Sequence, residues 1–188
     1  MAGSCPDARQ LASHPNTAMK KIYLAGPDVF FPDIARRAEA HKQLCRDKGF
    51  EPLHPADQPA MDAHAIYHAN VAMLRQADGV VANLNAFRGT EPDSGTAFEV
   101  GFAIALGKPV VGYMAKRTTV RAQVAAALGP LVYDDAMEVW RDTDNNLVED
   151  FGLPVNLMLA VPCTVVVGEL GDALDAMREH FAMSESQE

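Results

Sequence analysis

Between Asp93 and Lys108 the chain carries one ionisable side chain, Glu99, in a stretch otherwise built mostly of Phe, Ala, Val, Ile, Leu and Gly. Helical spacing groups it with Phe102, Ala103 and Leu106, on a face expected to be buried. A carboxylate is costly there unless something holds it. It falls in the first turns of its helix, where the positive dipole end favours the ionised form, and Gly101 removes bulk beside it. Such a carboxylate is a candidate functional residue. The alternative is an ordinary helix-start glutamate, partly exposed or capping.

Two other polar residues gain interest from their positions. Asp93 sits six residues before Glu99, in a loop at the carboxyl end of an expected strand, where open α/β sheets bind ligands. Alone it reads as a turn former. Asn70 falls in the helical stripe Ile66, Asn70, Met73, Ala77, the face expected to pack on the sheet, where an amide needs partners. Other arrangements are weaker. His64 and His68 are four apart, but no HExxH motif accompanies them and no third metal ligand is evident. Gly26-Pro27-Asp28 is not a dinucleotide fingerprint. Arg88-Gly89 serves either a phosphate or its own loop, and no GxSxG elbow or Cys/His hydrolase signature occurs.

The elements that must position these residues alternate. An apolar strand at 22–25 runs into the Gly26-Pro27 loop, and Asp33 precedes an amphipathic helix at 34–48 closed by Gly49. A strand at about 50–53 leads to a loop with Pro55, Asp57 and Gln58, then a helix at 62–77 and a strand at 79–84, apolar on both faces. A polar loop follows, with a helix at about 96–106 and a strand at 109–113. The second half is less regular. It reads as a helix at about 119–128, a strand near 131–133, a hairpin-like stretch at 141–146, a segment at 154–160 and a last helix at 171–182. The alternation predicts one doubly wound, mainly parallel α/β domain over residues 20–188. Residues 1–19 read as a disordered tail. Whether 161–188 completes the sheet or braces a neighbouring subunit is left open.

Composition narrows the class. The chain has 188 residues, 48% hydrophobic and 22% charged, which is ordinary for a globular domain. A formal charge of -9 argues against binding a nucleic-acid backbone. No apolar run is long enough for a membrane span, no secretory signal is visible, and the expected compartment is the cytoplasm. Cys5, Cys45 and Cys163 are odd in number and far apart, so neither a disulfide framework nor a zinc knuckle is expected.

Four segments together resemble the nucleoside 2-deoxyribosyltransferase family: Lys21 to Phe30 (KIYLAGPDVF), Ala82-Asn83-Leu84 with Phe87-Arg88-Gly89, Asp93 to Gly101 (DSGTAFEVG), and Gly107-Lys108-Pro109-Val110. The likeness spans roughly residues 20–160, and the Asp93–Gly101 stretch is its most specific part. Ala25-Gly26-Pro27-Asp28 and Phe87-Arg88-Gly89 look more like the purine-preferring branch. The resemblance implies a flavodoxin-like sheet and a retaining two-step transfer of 2-deoxyribose between nucleobases, with slow hydrolysis as a side reaction. No cofactor or metal is implied.

In that scheme Glu99 attacks C1' and expels the base, and a second base or water opens the glycosyl ester. Tyr23 would orient Glu99, and Asp93 would bind sugar hydroxyls. Phe30 would line the base pocket, with Phe31 an alternative, and Gln58 would contact base or sugar. Asn156-Leu157-Met158 resembles a segment that family members extend into a neighbouring subunit's pocket, which implies a homo-oligomer with shared sites. Many members have an aspartate where this chain has Asn70; an amide cannot protonate a departing base, but it can still donate and accept hydrogen bonds at the rim of a base. Asp28, Asp93 or solvent then remains as proton source. Two rivals stand beside this reading: a 2'-deoxynucleoside 5'-monophosphate N-glycosidase using the same glutamate, and a non-enzymatic nucleoside- or nucleotide-sensing domain.

Overall fold

The structure is a computed structural model that describes residues 19–57 and 62–186. The expected tail, apart from Met19, and the candidate Gln58 lie outside the described residues. In chain order the elements are β1 Lys21–Ala25, α1 Ile34–Asp47, β2 Glu51–Leu53, α2 Ala63–Gln76, β3 Gly79–Asn83, α3 Ser94–Ala105 and β4 Val110–Met114. Then come α4 Val120–Leu128, β5 Val132–Asp134, β6 Val139–Arg141, β7 Leu147–Val148, α5 Leu157–Ala160, β8 Thr164–Val167 and α6 Leu170–Glu185. Among the described residues no helix is long and apolar enough to cross a membrane.

Five strands form a parallel sheet in the order β2-β1-β3-β4-β8, the doubly wound order of flavodoxin-like domains. Strand periodicity decides which residue faces which layer. Ile22, Leu24, Val81, Val111 and Tyr113 bury against α1 and α6, while Tyr23, Ala25, Val80, Ala82 and Val110 join the core under α2, α3 and α5. The parity of β1 therefore puts Tyr23 on the layer that contains α3.

The first half matches its sequence pattern closely, with instructive exceptions. Asp33 makes no side-chain cap on α1; its carboxylate pairs with Arg36 and with Arg37 Nε, the latter at 2.7 Å. Helix α3 begins two residues earlier than expected, because Asp93 caps it by accepting the Thr96 N–H at 3.0 Å. Leu106, expected on the buried face, is exposed because α3 ends at Ala105 and Gly107 turns the chain at φ +70°. Lys108 then closes the carboxyl end of α2, donating to the Arg75 carbonyl at 2.9 Å and to the Ala77 carbonyl.

The second half departs further. The strand expected near 131–133 joins β6 and β7 in a separate antiparallel sheet, which packs with α4 around Val120, Val124, Val148 and Trp140. Residues 164–167 supply the fifth strand of the main sheet, and α6 covers its outer face through Leu170, Leu174 and Met177. That answers the question left open for the C-terminal region: it completes the fold.

Gly112 in the middle of β4 leaves room for Leu84, which is fully buried; a Cβ there would collide with Leu84 Cδ1. We expect Gly112→Ala to destabilise the fold by about 1–3 kcal/mol, the usual consequence of overpacking a core. Urea denaturation measures this, and an unchanged midpoint would contradict the packing described for Leu84.

Candidate active site

The site is assembled at the carboxyl edge of the sheet, on the α2/α3 layer. Tyr23 is fully buried on β1, and its hydroxyl donates to Glu99 Oε1 at 2.5 Å. The two side chains are 76 residues apart, so only the tertiary fold joins them. Burial pushes the Glu99 carboxyl up to about 7; the Tyr23 hydrogen bond opposes this and the charge of Asp93 reinforces it. No cation offsets the effect among the described residues. Burial and the neighbouring carboxylate push the Tyr23 phenol far above its ordinary range, so it stays protonated and donates to Glu99.

Glu99 opens onto a cleft of about 590 Å³, within the usual range for a small-molecule pocket. Asp93 and Thr96 share its wall at the start of α3, Ile66 and Asn70 form the α2 side, and Val29 and Phe30 come from the turn after β1. Most of the lining is apolar, with a few polar groups converging near Glu99. The arrangement suits a flat apolar body attached to a polar group that reaches the carboxylates.

Each candidate among the described residues has a definite place. Glu99, Asp93, Asn70 and Phe30 all line the cleft, with Tyr23 directly behind Glu99. Asp93 uses Oδ2 for the helix cap, so its role is in part structural. Phe30 is half exposed and stacks on Phe87 with ring centroids 5.4 Å apart, while the Arg88 guanidinium lies over both rings. Phe31 turns away, edge-on to Phe87 and under Arg37, so Phe30 is the ring in the cleft.

Asp28 and Asn156 are not brought to the cleft. Asp28 is buried on the opposite layer, beside His41, His54 and Tyr113, with Arg37 Nη1 at 3.8 Å. The turn Pro27–Phe30 directs Asp28 and Phe30 to opposite sides. Asn156 caps α5 through Met158 N–H and donates to Glu149 Oε1 at 2.6 Å, outside the cleft of its own chain. His64 and His68 are exposed on α2. Val29 was not anticipated. Thr96 had a usable signal, lying three residues before Glu99 on the same helical face.

A buried, uncharged-partner carboxylate at the carboxyl edge of a doubly wound sheet defines an α/β protein built to act on a small ligand. The sequence model for nucleoside 2-deoxyribosyltransferases matches residues 22–158, and the chain belongs to that family. It is therefore a glycosyl-handling enzyme of the deoxyribosyltransferase type, and its family suggests nucleoside substrates. The structure is similar to the 2-desoxiribosyltransferase from Leishmania mexicana, at 34% identity and TM-score 0.71, over 86% of this chain and 98% of that one. A conserved protein from Enterococcus faecalis V583 shares the fold at 24% identity and TM-score 0.55, over 87% of this chain and 99% of that one. An uncharacterized protein of Schizosaccharomyces pombe, C191.05c, is 29% identical over 155 residues, or 73% of this chain and 74% of that one.

Proposed function

We propose that the enzyme transfers 2-deoxyribose between purine bases through a covalent ester on Glu99. A Glu99 carboxylate oxygen attacks C1' of a 2'-deoxynucleoside. The C1'–N bond breaks, and its electron pair leaves with the base. A second base then attacks C1' through a ring nitrogen, the ester bond breaks, and the Glu99 carboxylate is restored as the incoming base loses its N–H proton. Water in place of the second base gives slow hydrolysis. Two inversions at C1' retain configuration.

The observation that carries this reading is the Tyr23–Glu99 hydrogen bond beneath the cleft, which holds a poorly solvated carboxylate at a fixed angle. Asp93 has an oxygen beyond its cap for sugar hydroxyls, and Phe30 offers an aromatic surface for a base. Gln58 is assigned a further substrate contact. Asn70 is an amide, so the departing base takes its proton from solvent. Asp28 points away from this chemistry and is better suited to bracing the turn that presents Phe30. Asn156, remote from its own cleft, is assigned to the cleft of a second copy in a homo-oligomer.

Incubation with deoxyinosine plus adenine tests the reading: deoxyadenosine and hypoxanthine are expected in equal amounts. Free base released only from a deoxynucleoside 5'-monophosphate would favour the N-glycosidase instead. Asp93 argues against that outcome, because a carboxylate in the cleft repels a phosphate.

The pH dependence follows from Glu99. Only the ionised carboxylate attacks, and its proton is held up to about pH 7. We expect kcat/KM to climb with pH through the neutral range and to level off above it. A pH–rate profile with its rise near the ordinary glutamate range would contradict the burial of the nucleophile.

A further inference from the structure

Arg88 lies in the exposed loop between β3 and α3 and holds φ +54°, the left-handed region that glycine adopts easily and an arginine rarely does. Such a conformation persists where the side chain makes contacts that a glycine could not. Here those contacts are two aromatic faces. The guanidinium carbon lies 4.8 Å from the Phe30 ring centroid and 4.7 Å from that of Phe87. The two rings stack on each other at 5.4 Å, with planes 19° apart. Arg37 also covers a ring, that of Phe31, but it pairs with Asp33 as well. Arg88 has no carboxylate partner among the described residues, so its charge is committed to the rings.

Phe30 needs such a hold. It is 51% exposed at the end of the short turn Pro27–Phe30, where a phenyl ring left to itself changes rotamer freely. We propose that Arg88 is a positioning residue that fixes the Phe30 ring in the cleft wall, ready for the face of a nucleobase. The inference rests on the deoxyribosyl-transfer reading, in which Phe30 meets the base, and adds a residue to it. Arg88 is not part of the cleft lining, so it acts through Phe30 and not on the substrate. A guanidinium over an aromatic face is attracted by the ring's quadrupole. A ring fixed in advance spares the entropy of ordering it when the base binds. The chemistry at C1' gains nothing from this contact, because the Tyr23–Glu99 hydrogen bond does not involve the loop. The loop itself has other support: Phe87 N–H donates to the Glu91 carbonyl at 2.9 Å, and Asp93 caps α3.

The test is Arg88→Gly, which accepts the left-handed backbone and removes only the side chain. Its urea midpoint should stay close to that of the wild type. With a deoxynucleoside donor and a purine acceptor, KM should rise about 5- to 10-fold, the scale of one lost cation–π contact. The kcat at saturation should stay within about threefold, the pattern of lost binding without lost chemistry. Arg88→Lys keeps a cation but not the flat stack, and should fall between wild type and Arg88→Gly. In a Phe30→Leu background, Arg88→Gly should add less than twofold to KM, because the ring through which it acts is gone. An unchanged KM in Arg88→Gly would overturn the proposal and leave the transferase reading standing. So would a full additional rise in the Phe30→Leu background, or a loss confined to kcat. A wild type that transfers no deoxyribose would overturn the proposal together with the reading beneath it.

Discussion

Glu99→Ala abolishes transfer, with kcat reduced by about 10⁴-fold or more, the scale seen when an enzyme loses its nucleophile. Remaining turnover would come from binding and from water entering the enlarged cleft. The same substitution should stabilise the protein above neutral pH. Burial raises the native-state carboxyl from 4.5 to about 7, so the folded chain binds this proton more tightly than the unfolded chain does. A group of that kind contributes stability when protonated, and the contribution is lost as pH rises from about 4.5 through 7. At pH 8 the wild type holds a desolvated charge with no cation beside it, and the variant does not. Activity lost and stability gained together mark a residue kept for chemistry. A variant that loses both would mark Glu99 as a structural residue. Activity assays and urea denaturation at pH 5.5 and 8 separate the two outcomes.

Tyr23→Phe should lower kcat by about 10²-fold while the fold is kept, comparable to removing one preorganised donor from an active site. The ring remains to fill the core space. The lost hydroxyl is the one group that lowers the Glu99 pKa, so the carboxyl should hold its proton to still higher pH. The rise in kcat/KM should therefore move to higher pH, and the deficit should be largest below neutrality. A purely packing role for Tyr23 would lower activity without moving the profile. The substrate KM should change little, because Tyr23 sits behind Glu99 and is not part of the cleft lining.

Much of this site was legible from residue pattern because it depends on periodicity. Glu99 stood out as one charge in an apolar helix, whereas Tyr23 was suggested only by the family resemblance, and its place on the α3 layer is seen in the fold. The Ile66-Asn70-Met73-Ala77 stripe was also visible. What pattern cannot show is where a stripe runs past the edge of the sheet. Met73 and Ala77 pack into the core, whereas Ile66 and Asn70 overhang it and become the cleft wall. Asp28 was harder, since a short turn reverses side-chain direction from one residue to the next with no period to read. The fifth strand, Thr-Val-Val-Val at 164–167, is too short to be distinguished from a buried loop without its neighbour β4. Asn156 shows a different limit: its capping geometry is local and clear, but a contribution to another subunit leaves no trace within one chain.

The proposed transfer passes through a bond between C1' of the sugar and one oxygen of Glu99. A 2-deoxy-2-fluoro nucleoside would trap it, because fluorine at C2' slows opening of the ester more than the enzyme can compensate. Mass spectrometry of the digested protein should then find one added fluorodeoxyribosyl group, on the peptide that contains Glu99. An adduct on any other residue, or inactivation with no adduct at all, would contradict the account.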